Sequence, residues 1–315
     1  MLSTAGKMFI CLLCITAIGV LSNSSWNLSV GLFSLRLLHS GVCACHRCLT
    51  EGDPRFRELI SASPKPFLSR NYTTSEETFN WWKHLQRAGD DFSFYNTTVD
   101  NLFQMFPPSP DVVEISPDRC RTCAVVGNSG NLKGSRYGPL IDIHDIVIRM
   151  NHGRTKGYEA DVGTKTTHHV MYPESAVHLD NITHLVLFPF KIKDLLWLLR
   201  SFNQGENHAV NSRRIANKDL VMILNPAFMK YVHEMWLGNK GRYPSTGFMA
   251  LLLSMCICDE VNVFGFGPDT DGNWNHYFEI LRNKHLGTGP HAGMEEYKVI
   301  EQLHDKKIIS FFKGF

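Results

Sequence analysis

From Ala124 onward the sequence alternates short apolar runs with helix-length segments, and this rhythm restricts the fold more than any other feature. The runs are AVV (Ala124 to Val126), DIVIRM (Asp145 to Met150), HHVMY (His168 to Tyr172), THLVLFPF (Thr183 to Phe190), LVMIL (Leu220 to Leu224), EVNVFGFG (Glu260 to Gly267) and KIISFF (Lys307 to Phe312). Between them lie segments such as IKDLLWLLRSF and TGFMALLLSMCIC. Strands that are apolar along their length and separated by helices predict an α/β domain with a mostly parallel central sheet flanked by helices on both faces. Such sheets bind ligands beyond the carboxyl ends of their strands, so chemistry is expected in the turns after Val126, Met150 and Phe266. Upstream, SEETFNWWKHLQRA (Ser75 to Ala88) reads as a further helix, with Ser75 as its cap and acids in the first turn.

The first of these turns is GNSGN, in which Gly127 and Gly130 would let backbone N–H groups approach a phosphate beside the polar Asn128, Ser129 and Asn131. The third glycine of G-x-G-x-x-G is missing, which argues against a nicotinamide-dependent dehydrogenase. RMNHG puts Asn151 at the second strand end. In RYPSTGFMALLLSM, Ser245 and Thr246 precede an apolar helix whose first N–H groups suit an anion, although plain capping is the favoured reading of this motif taken alone. GFG, Gly265 to Gly267, again permits close backbone approach. Together these turns point to a nucleotide-bearing ligand. Asp269-Thr270-Asp271 is a D-x-D, but Pro-Asp-x-Asp-Gly is strong turn chemistry and the turn reading is favoured over a metal site. His276 and His291 stand on glycine- and proline-rich ground. One imidazole could neutralise a leaving phosphate while the other deprotonates an incoming hydroxyl.

The N-terminal stretch MFICLLCITAIGVLS (Met8 to Ser22) is uncharged and follows Lys7. It is short against the ~20 residues of a typical span, a deficit that flanking residues or a thin membrane can absorb. We read residues 1–7 as a cytoplasmic tail, 8–22 as a signal anchor, 23–42 as a short lumenal stem and 43–315 as one lumenal catalytic domain. A cleaved signal peptide, with Ala17 to Gly19 as its cleavage site, is the competing reading. Both deliver the chain to the secretory lumen. Five N-x-S/T sequons agree, at Asn23, Asn27, Asn71, Asn96 and Asn181, the last three within the catalytic domain. Of nine cysteines, seven lie on the lumenal side. There CACHRC and CRTC favour disulfides over a zinc site, with at least one thiol left over and the pairing open. A net charge of +2 gives no electrostatic reason to expect nucleic acid or an acidic substrate.

Four stretches together resemble the animal sialyltransferases (glycosyltransferase family 29), in particular the β-galactoside α-2,3 group acting on Galβ1-3GalNAc. The family's long motif resembles Cys120 to about Ser175, with CAVVGNSGNLKGSRYGPLID, RMN and ADVGTKTTHHVMYPES. The short motif resembles RYPSTGFMALLLSMCICDEVNVFGFG, the third HYFE, and the H-x4-E motif His291 through Glu296. The resemblance implies a GT-A-like, Rossmann-type fold, a CMP-sialic acid donor, and inverting transfer to the 3-hydroxyl of a terminal galactose on a glycoprotein or glycolipid. No metal or other cofactor is implied. Asn128, Asn151, Ser245, Thr246, Gly247 and Gly267 would line the donor site, His276 would contact the donor phosphate, and His291 would be the base. Gln86 and Tyr243 would meet the acceptor galactose. The implied disulfides are Cys43–Cys48, Cys45–Cys120 and Cys123–Cys258, leaving Cys256 free. The implied setting is the Golgi membrane, single-pass type II, with secretion after cleavage as a further route. NQGENHAVNSRR departs from the pattern, being in a shorter stretch and lacking an aromatic residue the family sets against the acceptor. A catalytically silent glycan- or nucleotide-binding protein of the same fold is the alternative, and the intact His276 and His291 argue against it.

Overall fold

Each of the seven apolar runs falls on a strand, the first of them starting two residues earlier than its run: β1 Thr122–Val126, β2 Ile146–Met150, β3 His168–Met171, β4 His184–Leu187, β5 Val221–Ile223, β6 Glu260–Phe264 and β7 Ser310–Phe312. They form one sheet in the order β5-β4-β3-β2-β1-β6-β7, with every neighbouring pair parallel. The structure, a computed structural model, describes residues 43–46, 48–49, 52–110, 118–203, 215–280 and 287–315. The expected tail, anchor and stem, the sequons at Asn23 and Asn27, and residues 204–214 of the divergent stretch lie outside the described residues. Among the described residues no helix is long and apolar enough to cross a membrane.

The helices are α1 Pro54–Ser61, α2 Glu76–His84, α3 Phe92–Met105, α4 Gly138–Asp142, α5 Glu159–Val162, α6 Ile192–Asn203, α7 Pro226–Tyr231, α8 Thr246–Ile257 and α9 Gly293–Asp305. The cap expected for α2 is in place: the Ser75 hydroxyl accepts from the Thr78 amide, and Glu76 and Glu77 occupy the first turn, where acids suit the helix dipole. This helix ends at His84 rather than Ala88, because Arg87 turns into the left-handed region at φ 53°. Side chains alternate across the strands. On one face Cys123, Val125, Ile148, Met150, Val261 and Val263 join the large core. On the other, Ala124, Val126, Val147 and Phe264 join a small cluster with Leu132, Ile141, Val162 and Tyr277. Helix α8 is apolar all round, as a fully enclosed helix must be, and packs on β1, β2 and β6.

Three disulfides tie the fold, Cys43–Cys48, Cys45–Cys120 and Cys123–Cys258, the pairs the family resemblance implied. Cys45 and Cys120, which a zinc site would have used as thiolates, are therefore oxidised together. Cys123–Cys258 joins the start of β1 to the end of α8 across a sequence separation of 135, which chain-entropy arguments value at about 4–5 kcal/mol. Cys256 is free, and burial pushes its thiol up to about 11, so it is a protonated core residue rather than a reactive one. The asparagines of the three described sequons, Asn71, Asn96 and Asn181, are exposed.

Candidate active site

The chain runs outward from β1 to β5 on one side of the sheet, then crosses to β6 and β7 on the other. The reversal between β1 and β6 opens a crevice beyond the strand ends. Register aligns them: Val126 pairs with Arg149 of β2 and with Phe264 of β6, so Gly127, Asn151 and Gly265 leave the sheet close to one level. A cavity of about 570 Å³ occupies this crevice, within the size range of small-molecule sites. Asn128, Asn151, Ser245, Thr246, Gly247, Gly267, His276 and His291 all line it. A second cavity of about 140 Å³ adjoins it and takes in Gln86 and Tyr243. His291, Thr246 and Tyr172 line both. A third cavity of about 590 Å³ lies near the opposite strand ends, around Leu49, Ile60, Met255 and Cys256. Though similar in size to the first, it holds no histidine and none of the expected donor, acceptor or catalytic residues.

The glycines of the first turn serve a purpose other than a phosphate cradle. The Gly127 amide donates to Phe264 O, Ser129 N to Gly265 O and Gly130 N to Asn275 O, so those N–H groups are consumed within the protein. A Cβ on Gly127 would lie 2.3 Å from the Gly265 carbonyl, and the Phe266 ring abuts both Gly127 and Gly247. Glycine is required here because two strand-end turns interlock. The same turn seats the third motif: Tyr277 N donates to Asn128 O, and Ser129 and His276 form an antiparallel bridge. His276 is thereby set on the cavity rim, 46% exposed, with its Nδ1 donating to Glu279 Oε1 at 2.9 Å. Although burial works against it, this pairing holds the Glu279 carboxyl below its usual range.

The helix start expected to suit an anion, the N-terminus of α8, also opens on this cavity. Ser245 caps the helix by accepting from Phe248 N at 3.1 Å, and the first-turn residues Thr246 and Gly247 face the cavity. Glu296 of α9 holds this cap from behind, accepting from Ser245 N at 2.7 Å and from the Ser245 hydroxyl at 2.6 Å. Burial pushes the Glu296 carboxyl up, against those hydrogen bonds and the nearby His291, which draw it down. Asp269, by contrast, is spent on its turn, its Oδ1 accepting from the amides of Asp271 and Asn273, with Gly272 at φ 82°. The turn reading of the D-x-D holds.

His291 is oriented by a backbone carbonyl. Its Nδ1 lies 3.0 Å from Tyr243 O, a group that can only accept, so Nδ1 carries the proton and Nε2 presents its lone pair. The ring packs edge-on to Tyr243 at 5.0 Å, and the Tyr243 hydroxyl accepts from Gln86 Nε2 at 3.2 Å. Gln86 is carried past the end of α2, which Trp82 anchors by donating its indole N–H to Pro189 O at 2.8 Å. Phe190, Lys191 and Glu174 complete the small cavity, with Lys191 bridging Glu174 (2.8 Å) and the buried Asp194 (3.2 Å).

Sequence reasoning missed Tyr172, Phe266, Glu279 and the part played by Glu296. Tyr172 directly follows β3, so the strand-end rule could have found it. Glu296 closes the H-x4-E motif, but nothing local shows that its partner is Ser245, 51 residues away.

The chain matches a family model described as glycosyltransferase family 29 (sialyltransferase) over residues 67–308. It is 41% identical over 291 residues to a human protein named CMP-N-acetylneuraminate-beta-galactosamide-alpha-2,3-sialyltransferase 1, covering 89% of this chain and 85% of that one. The pig protein of the same name is 44% identical over 284 residues, covering 86% and 82%. A crystal structure described as a mammalian sialyltransferase in complex with Gal-beta-1-3GalNAc-ortho-nitrophenol matches with a TM-score of 0.76 and 43% identity, covering 87% of this chain and all of that one.

Proposed function

The chain belongs to glycosyltransferase family 29, the sialyltransferases, and we propose that it transfers sialic acid from CMP-sialic acid to the 3-hydroxyl of a terminal galactose in Galβ1-3GalNAc. The observation that carries this reading is His291, which lines both cavities with its Nδ1 proton committed to Tyr243 O and Nε2 without a partner among the described residues. A donor in the large cavity and a galactose in the small one would meet at that nitrogen. His291 Nε2 takes the proton of the 3-hydroxyl as the galactose oxygen bonds to the anomeric carbon of the sialyl group, and the bond to the CMP phosphate breaks. A single displacement of this kind inverts the anomeric centre. The leaving CMP carries its charge toward the N-terminus of α8 and toward His276, whose ring Glu279 orients. Asn128, Asn151, Ser245, Thr246, Gly247 and Gly267 wall the donor, while Gln86 and the Tyr243 hydroxyl hold the galactose.

In this reading no metal takes part. The transition state gains positive character beside the donor's own carboxylate, and the phosphate, a monoanion in the donor, gains one further negative charge as it leaves, which fixed dipoles and one imidazole can balance. Residues 8–22 anchor the enzyme in the Golgi membrane, with the catalytic domain in the lumen and release by cleavage as a further fate. Incubating the full chain in detergent with CMP-sialic acid, Galβ1-3GalNAc and EDTA tests the core of it. An α-2,3-sialylated product with EDTA present is expected. Failure to sialylate any galactoside would overturn the activity, and product only after adding a divalent ion would overturn the metal-free mechanism.

A further inference from the structure

Asn151 has a left-handed backbone, φ 54°, uncommon for a residue other than glycine. Three bonds hold it there. Its amide donates to Val170 O at 2.8 Å, its carbonyl accepts from His169 Nε2 at 2.7 Å, and its side-chain oxygen Oδ1 accepts from the Ser175 hydroxyl at 2.9 Å. Burial holds His169 below the usual histidine range, so it is a neutral ring whose proton sits on Nε2. Ser175 is itself 3% exposed and does not line the cavity. It closes a tight turn over Pro173–Ser175, in which its own amide donates to Tyr172 O and its hydroxyl accepts from Tyr172 N at 3.2 Å.

A serine hydroxyl has one proton. Two oxygens are within its reach, Asn151 Oδ1 at 2.9 Å and Tyr172 O at 3.2 Å, and the second already accepts the Ser175 amide. The contact to Asn151 is the shorter and takes the proton, so Oδ1 faces the wall and the Nδ2 amino group is left for the cavity. Resting on the reading that this cavity takes the CMP-sugar, we propose that Ser175 is a positioning residue that turns Asn151 to donate to an oxygen of the nucleotide sugar. The same hydroxyl holds the backbone of Tyr172, so it braces two cavity residues without touching the ligand.

The test is a mutant cycle read by calorimetric titration of the full-length enzyme with CMP. S175A leaves the Asn151 amide free to rotate, and a misdirected hydrogen bond to a charged group is expected to weaken CMP binding roughly 10-fold. Where Asn151 is already alanine there is no amide to orient, so S175A should then change affinity less than about 2-fold. S175C is the second variant if S175A does not fold, because sulfur fills the site yet is a weak donor, and the same pattern is expected of it. An equal loss in both backgrounds, or none in either, overturns the role assigned to Ser175 while leaving the proposed activity standing. A parent enzyme that binds no CMP overturns both.

Discussion

The two adjoining cavities are built in different ways. Around the larger one, main chain locks main chain: the turn after β1 donates its amides to carbonyls at the end of β6, and the segment bearing His276 pairs with that turn. The smaller one is assembled from side chains of separate elements, with Gln86 beyond α2, Phe190 and Lys191 beyond β4, and Tyr243 ahead of α8. Main chain cannot be altered by substitution except where glycine permits it, whereas side-chain contacts change one residue at a time. The larger cavity is thus the inflexible half, and under the proposed reading acceptor choice can drift through the residues that line the smaller one alone, Gln86, Glu174, Phe190, Lys191 and Tyr243, without disturbing donor binding.

His291 belongs to both halves, and its loss should be the largest effect. H291A is expected to lower kcat by about 10²–10⁴-fold, the usual contribution of a general base, with CMP affinity nearly unchanged. A comparable loss of CMP affinity would mean that the ring serves the donor half alone. G127A strikes the interlocked turns, where a Cβ would meet the Gly265 carbonyl at 2.3 Å. Overpacking of this kind costs roughly 1–3 kcal/mol, so thermal unfolding should come several degrees earlier and CMP binding should weaken. G89A is the control, since nothing lies within 4 Å of its new methyl and no change is expected.

The sheet beneath both cavities should be sensitive to acid. His168 is buried and stacked on His184 at 4.4 Å, and burial lowers its pKa from 6.5 to about 3. A base whose folded pKa is depressed gives its full stability above the unfolded pKa of 6.5 and loses it as pH falls, because the unfolded chain takes up the proton first. At pH 5.5 that loss is about 1.4 kcal/mol for this residue, and chemical denaturation at pH 8 and 5.5 measures it. H168Q should flatten the acid slope by that amount, and an unchanged slope would place the proton elsewhere. Q86A should have the smallest effect. It removes one hydrogen bond to Tyr243, so the acceptor KM should rise about 10-fold or less while the donor KM stays put. A parallel rise in both would break the division between the halves.

Much of this was legible in the sequence because it is local. Seven apolar runs became seven parallel strands, Ser75 and Ser245 became caps, and the motif residues fell at strand and helix ends, where parallel sheets collect their ligands. The misreading was equally local. Gly127 and Gly130 look like a phosphate turn, yet their amides are bonded to residues more than 130 positions away.

The sequence by itself determined the seven strand runs, their mostly parallel arrangement, and the residue types the chemistry needs, since periodicity, capping and turn preferences act within a few residues. Only the tertiary structure decided that Glu296 holds Ser245, that Ser175 turns Asn151, and that a carbonyl at Tyr243 leaves His291 with one free nitrogen. Those choices depend on which buried donor meets which buried acceptor. The partners come from distant positions, and most such groups must be satisfied once water is excluded, so the match exists only when the whole sheet has assembled.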